Sequence, residues 1–197
     1  PGSMLGLSQP GTKIWVEPND DPRKKLKYGW QLVDHENGHF TGINTGAANK
    51  IVKESLINRQ LKGLDTYDTC RPEVKYGENS RIDFLLTGTN SRAPGTYVEV
   101  KSVTMMRKIG LAEFPDSVTN RGLKHLVELT KVAKLGKRAV LLFLIQRSDC
   151  RAFNIASDID LAYGKAYREL KSQNVEIMVY TCNLSTDGIK IGKKLLI

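Results

Sequence analysis

The sequence predicts a mixed α/β sheet covered by helices, with a small antiparallel β unit ahead of it. Three observations lead there. The hydrophobic pattern runs in the order helix, three strands, helix, strand, helix, strand. Residues 139–145 are apolar on both faces, as a central strand buried between two layers has to be. Finally, 197 residues can bury one substantial core with at most a small accessory unit beside it.

In chain order, residues 12–17, 28–34 and 39–43 are short alternating or apolar runs. The turn formers Pro18-Asn19-Asp20-Asp21-Pro22 and Glu36-Asn37-Gly38 separate them, which reads as an antiparallel sheet. Three strands with few large apolar residues make a poor independent domain, so this unit is expected to pack on the larger α/β unit or to continue upstream. Asn44-Thr45-Gly46 marks a boundary between units 1–44 and 45–197. Asn49 is read as the cap of a helix reaching Leu61, with Ile51, Val52, Leu56 and Leu61 on one face. Strands are expected at 73–76, 81–86 and 96–103, the last two joined as a hairpin by a Gly/Asn/Ser/Pro-rich loop at 87–95. After a loop through Phe114-Pro115-Asp116 come a helix at 118–134, the apolar strand, a helix at 158–171 and a strand at 175–182.

Thirty Lys and Arg against 21 Asp and Glu give a net charge of +9, which favours polyanionic partners, nucleic acid ahead of an anionic membrane. The three cysteines are far apart and odd in number, against a disulfide framework or zinc cluster and in keeping with a reducing cytoplasm. The longest clean apolar run, 139–145, is far too short to span a bilayer.

One constellation carries chemistry. Glu99 and Lys101 lie two apart on a strand and so project from one face, with Val98 and Val100 on the other. On the preceding strand Asp83 shares a face with Arg81 and Leu85, while Ile82, Phe84 and Leu86 form the apolar side. Paired, the strands display two carboxylates and an ammonium group. Carboxylate oxygens are the hard ligands Mg²⁺ or Mn²⁺ prefers, and a neighbouring lysine can position or activate water. An exposed cross-strand salt bridge is the competing reading. Mid-strand charges backed by apolar faces in a central sheet favour the metal site, because burying them unpaired is costly.

Asp83, Glu99-Val100-Lys101 and the preceding helix together resemble the PD-(D/E)xK nuclease superfamily. A closer resemblance is carried by Glu73-Val74-Lys75-Tyr76-Gly77, Ser80-Arg81-Ile82-Asp83-Phe84-Leu85, residues 97–104, Phe114-Pro115-Asp116 and the Arg121-Gly122 to Lys124-His125 run. These are similar to the sugar fermentation stimulation protein A family, and the similarity extends from Gly2 to near the C-terminus. It implies a mixed-sheet PD-(D/E)xK nuclease-like core preceded by part of an OB-like β-barrel, whose remaining strands would lie upstream. It further implies a DNA-binding protein, a regulatory link to sugar (maltose) metabolism, and a metal site at Asp83 and Glu99 with Lys101 as the catalytic lysine. Glu54 would be an additional metal carboxylate, against a solvated helix-face residue paired with a nearby Lys.

Candidate DNA contacts are suggested by charge and position. Arg121 and His125 are four apart on one helical face with Lys124 adjacent, and His125 is equally readable as an ordinary hydrogen-bonded histidine. Arg147 ends the central strand, where α/β sites open, although a polar strand exit has the same pattern. Lys24 and Lys25 belong to a basic loop followed by Tyr28 and Trp30, suited to single-stranded nucleic acid but diluted by Asp20 and Asp21. The expectation is therefore a DNA-binding protein with an Mg²⁺- or Mn²⁺-dependent phosphodiesterase site. The alternative is a non-catalytic DNA-binding regulator using the same cleft only to bind.

Overall fold

The alternating N-terminal runs become β1 (Lys13–Pro18), β2 (Tyr28–Asp34) and β3 (Phe40–Gly42), an antiparallel sheet in that order. These and the following elements come from a computed structural model that describes residues 2–23, 25–77, 80–88 and 95–197. β1 is the outer strand and is exposed along its whole length. The unit's own core is small, built on Leu7, Val33 and Ile43. It is spliced onto the rest through β3: Gly42 N–H donates to the Gln146 carbonyl at 2.8 Å, Thr41 bridges Arg147, and Phe40 N–H donates to the Ser148 hydroxyl at 2.9 Å.

Helix α1 (Thr45–Ile57) begins at once, and Asn44 is its cap, accepting the Gly46 N–H at 3.0 Å. The cap therefore lies five residues earlier than the sequence placed it. Asn44 has the extended backbone an N-cap needs, and Asn49 is left inside the helix for another task. The next elements are β4 (Thr69–Tyr76), β5 (Ser80–Thr87), β6 (Thr96–Val103), β7 (Met105–Lys108), β8 (Leu111–Phe114) and α2 (Asn120–Lys134). Then come β9 (Arg138–Ile145), β10 (Ala152–Ile155), α3 (Leu161–Leu170), β11 (Val175–Ser185) and β12 (Gly188–Leu195). Most of the expected loop between β5 and β6 lies outside the described residues.

Six strands form the main sheet in the order β12-β11-β9-β6-β5-β4. β6, β9 and β11 run parallel, with antiparallel strands added on both sides. Both parallel steps, β6 to β9 and β9 to β11, move the same way across the sheet. Right-handed crossovers therefore put α2 and α3 on one face, and α1 covers the other. β9 records this sandwiching directly. Its Leu141, Phe143 and Ile145 join the core under α2 and α3, while Val140, Leu142 and Leu144 join the core under α1. The expected mixed α/β sheet is observed. Four short or edge strands were not anticipated: β7, β8 and β10, which make a small sheet of their own, and β12. Among the described residues no helix is long and apolar enough to cross a membrane.

Candidate metal and nucleic-acid site

The site lies where two strands part. β5 and β6 pair from Phe84↔Val98 to Leu86↔Thr96, and the ladder ends before Asp83. On the other side, β4 pairs with β5 at Pro72↔Phe84 and Val74↔Ile82 but not between, where Glu73 takes a left-handed backbone at φ +53°. Asp83 occupies the gap. Its carboxylate accepts the Val100 backbone N–H at 2.7 Å, a donor freed by the missing ladder bond, and the Asn49 side-chain amide at 2.7 Å. The irregularity also breaks the period-two alternation. Ile82 packs under α2, whereas Phe84 and Leu86 pack under α1, so the single apolar face expected for these three does not exist.

Glu99 and Lys101 do share a face, as their spacing requires, and both meet His125 of α2. Lys101 Nζ donates to Glu99 Oε1 at 2.7 Å and lies 3.0 Å from His125 Nδ1, which also contacts Glu99 Oε1. His125 donates or accepts at that nitrogen according to its tautomer. Glu99 is 1% exposed, and its second oxygen, Oε2, has no hydrogen-bond partner. Leaving a buried acceptor unsatisfied costs about 1–3 kcal/mol, and more for a charged one. Glu128, bridged to Lys131, carries the same kind of unpartnered oxygen; what sets the Glu99 oxygen apart is that it lies beside a second carboxylate and a lysine in one cavity, as a cation site needs.

Burial pushes the Asp83 carboxyl up to about 6, reinforced by the Glu99 charge and opposed by its two hydrogen bonds. Burial pushes Glu99 the same way, but its contact with His125 and the Lys101 charge outweigh burial and hold it below the ordinary carboxylate range. One carboxylate is thus stabilised by the protein's own cation, and the other is poorly compensated. Together they line a cavity of about 240 Å³ with Thr45, Asn49, Lys101, Ser102, Thr119, Arg121 and His125. A divalent ion fits this donor set: two carboxylates at hand, one with a spare buried oxygen and one short of compensating charge.

The other expected residues divide. Arg121 is exposed and lines the cavity, Lys124 is exposed beside it on α2, and His125 is drawn inward to 8% exposure. Glu54 is not part of the site. It is exposed and faces a different groove, because α1 turns Thr45, Ala48 and Asn49 toward the carboxylates and Ala47, Lys50, Ile51 and Glu54 away from them. Arg147 is not available to a strand either. It is 4% exposed and locked by a fork of bonds to Asp149 at 2.9 and 2.7 Å and by the Thr104 carbonyl at 3.1 Å. Lys25 is exposed on the β1–β2 connection, and Lys24 lies outside the described residues. Asn49 was missed, since only the folded chain brings α1 against β5.

Comparison with known proteins completes the assignment. The family model described as "Sugar fermentation stimulation protein RE domain" matches residues 46–188, and that described as "SfsA N-terminal OB domain" matches residues 1–43. The sugar fermentation stimulation protein homolog of Ruegeria pomeroyi is 58% identical over 198 residues, covering 99% of this chain and 84% of its own. The homolog of Paramagnetospirillum magneticum is 46% identical over 194 residues, covering 98% of this chain and 80% of its own. Among solved structures, Pyrococcus furiosus SfsA in complex with Ca²⁺ superposes with a TM-score of 0.87 at 25% identity, covering 98% of this chain and 81% of that one. This chain belongs to the sugar fermentation stimulation protein family.

Proposed function

We propose that this chain binds DNA at the cleft between α1 and α2 and hydrolyses a phosphodiester there, with Mg²⁺ or Mn²⁺ held by Asp83 and Glu99. The observation that carries this reading is the unpartnered, fully buried oxygen of Glu99 beside a second carboxylate and a lysine. The Ca²⁺ in the Pyrococcus furiosus protein supports it, since Ca²⁺ prefers the same oxygen ligands. Bound there, the ion would stabilise charge on the phosphate oxygens and supply an activated water. The chain's own residues orient the reaction. Asn49 and the Val100 N–H fix Asp83, and His125 and Glu99 hold the Lys101 ammonium where it can donate to an attacking water. Arg121, exposed at the rim of the cavity, and Lys124, exposed beside it on α2, contact backbone phosphates without reading bases. The net charge of +9 supports a polyanionic partner, and three free cysteines suit the cytoplasm.

A second reading is a DNA-binding regulator of sugar metabolism that uses the cleft without chemistry. Two observations favour it: Lys101 is already engaged by Glu99 and His125, and Glu54 does not line the cavity. Incubating the protein with linear, circular and single-stranded DNA, with and without Mn²⁺, separates the two. Metal-dependent cleavage abolished by Lys101→Ala supports the nuclease. Binding without cleavage on every form leaves the regulator.

A further inference from the structure

Resting on the reading that DNA is bound at Asp83 and Glu99, we infer that a second hollow beside their cavity is a base pocket, which takes one unpaired nucleobase and prefers guanine. The hollow measures about 170 Å³. Thr45, Ser102 and Phe114 line both spaces, so the two lie side by side. A nucleotide has the same arrangement, with its base one sugar away from its phosphate. The volume is that of roughly five or six waters, which admits one base and excludes a base pair. The strand it takes is therefore single or has that base turned out of the stack.

The walls divide into an apolar part and a polar edge. Met4, Ile43 and the Phe114 ring supply the apolar part. Phe114 is backed by edge-on contacts with Phe143 and Tyr163, ring centroids 5.5 and 5.3 Å away, so its ring is a fixed platform. Stacking on a ring accepts any base, and the polar edge makes the choice. Two acids stand there. Glu113 is spent, both of its oxygens being held by Arg107 at 2.9 and 2.7 Å. Asp116 is available: among the described residues its carboxylate has no hydrogen-bond or salt-bridge partner. It lies against Gly2, where a β-carbon would collide with both of its oxygens, so only glycine leaves room for the carboxylate there. An uncompensated carboxylate repels phosphate and accepts hydrogen bonds. One edge of guanine presents two adjacent donors, the N1–H and the N2 amine, which a carboxylate takes as a pair. Adenine and cytosine offer a single exocyclic amine, and thymine a single ring N–H. Ser102 Oγ accepts the Gln146 side-chain amide at 2.7 Å and keeps its own proton for an acceptor such as guanine O6.

The test is fluorescence anisotropy of the full chain with labelled oligo-dT strands that carry one central dG, dA, dC or deoxyinosine. Ca²⁺ is present, and a gel confirms that the strands stay intact. The dG strand is expected to bind about tenfold more tightly than plain dT, the worth of one paired base contact. Deoxyinosine, which lacks the N2 amine, should fall between them. Annealing the dG strand to its complement should erase the preference. Asp116→Asn sets a donor in place of one acceptor and should bring the dG-to-dT affinity ratio down to about one. The ratio is read within one protein, so any loss of folded material cancels from it. Equal affinity of the wild type for all strands overturns the base pocket and leaves DNA binding at Asp83 and Glu99 standing. A dG preference that survives in Asp116→Asn overturns it as well. Failure of the wild type to bind any strand overturns the DNA-binding reading itself, and the pocket with it.

Discussion

α1 separates two concavities that differ in size, charge and finish. On one side lies a groove of about 510 Å³ between α1, β1 and the β11–β12 turn, lined by Trp15, Leu32, Ile51 and the acids Glu17, Glu54 and Asp187. On the other lies the cavity of about 240 Å³ around Asp83 and Glu99. The groove is more than twice as large, yet its charged groups are on the surface, where water satisfies them. The smaller cavity holds a carboxylate buried with an oxygen unmet and another raised to about 6. Volume finds space; stored electrostatic cost finds a site.

The largest expected effect separates the two sides outright. Asp83→Asn or Glu99→Gln should abolish Mn²⁺ binding measured by calorimetry, whereas Glu54→Gln, on the face of α1 turned away from the cavity, should leave it unchanged. Equal losses in all three would show that the helix face does not divide the acids. Next comes Asn49→Ala, which removes the amide that holds Asp83 at 2.7 Å. Loss of such a supporting bond typically costs about 10–100-fold in metal affinity, and an unchanged affinity would mean that the Val100 N–H suffices alone.

Smaller and graded is the effect of pH. Because Asp83 is raised to about 6, the folded chain holds a proton there between about pH 4 and 6 that the unfolded chain has lost. Metal-free stability contributed by this group should therefore fall as pH rises through that window. Mn²⁺ affinity should rise over the same range, since the ion competes with the proton. Calorimetry from pH 5 to 8, beside denaturant titrations, checks both signs. The most diffuse effect is salt. Arg121→Glu and Lys124→Glu should weaken DNA across unrelated sequences and flatten the slope of log affinity against log salt by about one unit each. The same reversal at Lys50, on the groove side, should change the slope far less.

Legibility in the sequence tracks how local each signal is. Glu99 and Lys101 are fixed by two-residue spacing on one strand, and β9 by its unbroken apolar run, so both were legible. Glu54 failed because a family's carboxylate was carried to the correct helix but to the wrong side of it. Arg147 failed for a different reason: Asp149, two residues on, neutralises it, and a strand end that looked open is closed by a fork of hydrogen bonds. The four-residue strands β7, β8 and β10 are too short to show a period; they are held by pairing with one another and by packing Phe114 and Phe153 against Phe143 of β9. β12 was missed although its pattern was there to read: Ile189 and Ile191 flank Lys190 after an Asp187-Gly188 turn. Asn49 and His125 had no sequence signal for their partners, because those partners are 34 and 26 residues away.

The splice of β3 onto the end of β9 has a mechanical consequence. Gly42 is bonded to Gln146, and two residues later Asn44 begins α1, whose first turn forms one wall of the cavity around Asp83 and Glu99. There is no slack between the two units. A load applied to the N-terminal sheet, such as a strand of nucleic acid pulling on β1 and β2, would pass through β3 as through a short rigid lever and bear on the start of α1. Grip on one unit and alignment of Asn49 against Asp83 in the other are then parts of a single linkage. Lengthening the chain between Gly42 and Asn44 would uncouple them while leaving every residue of the cavity in place.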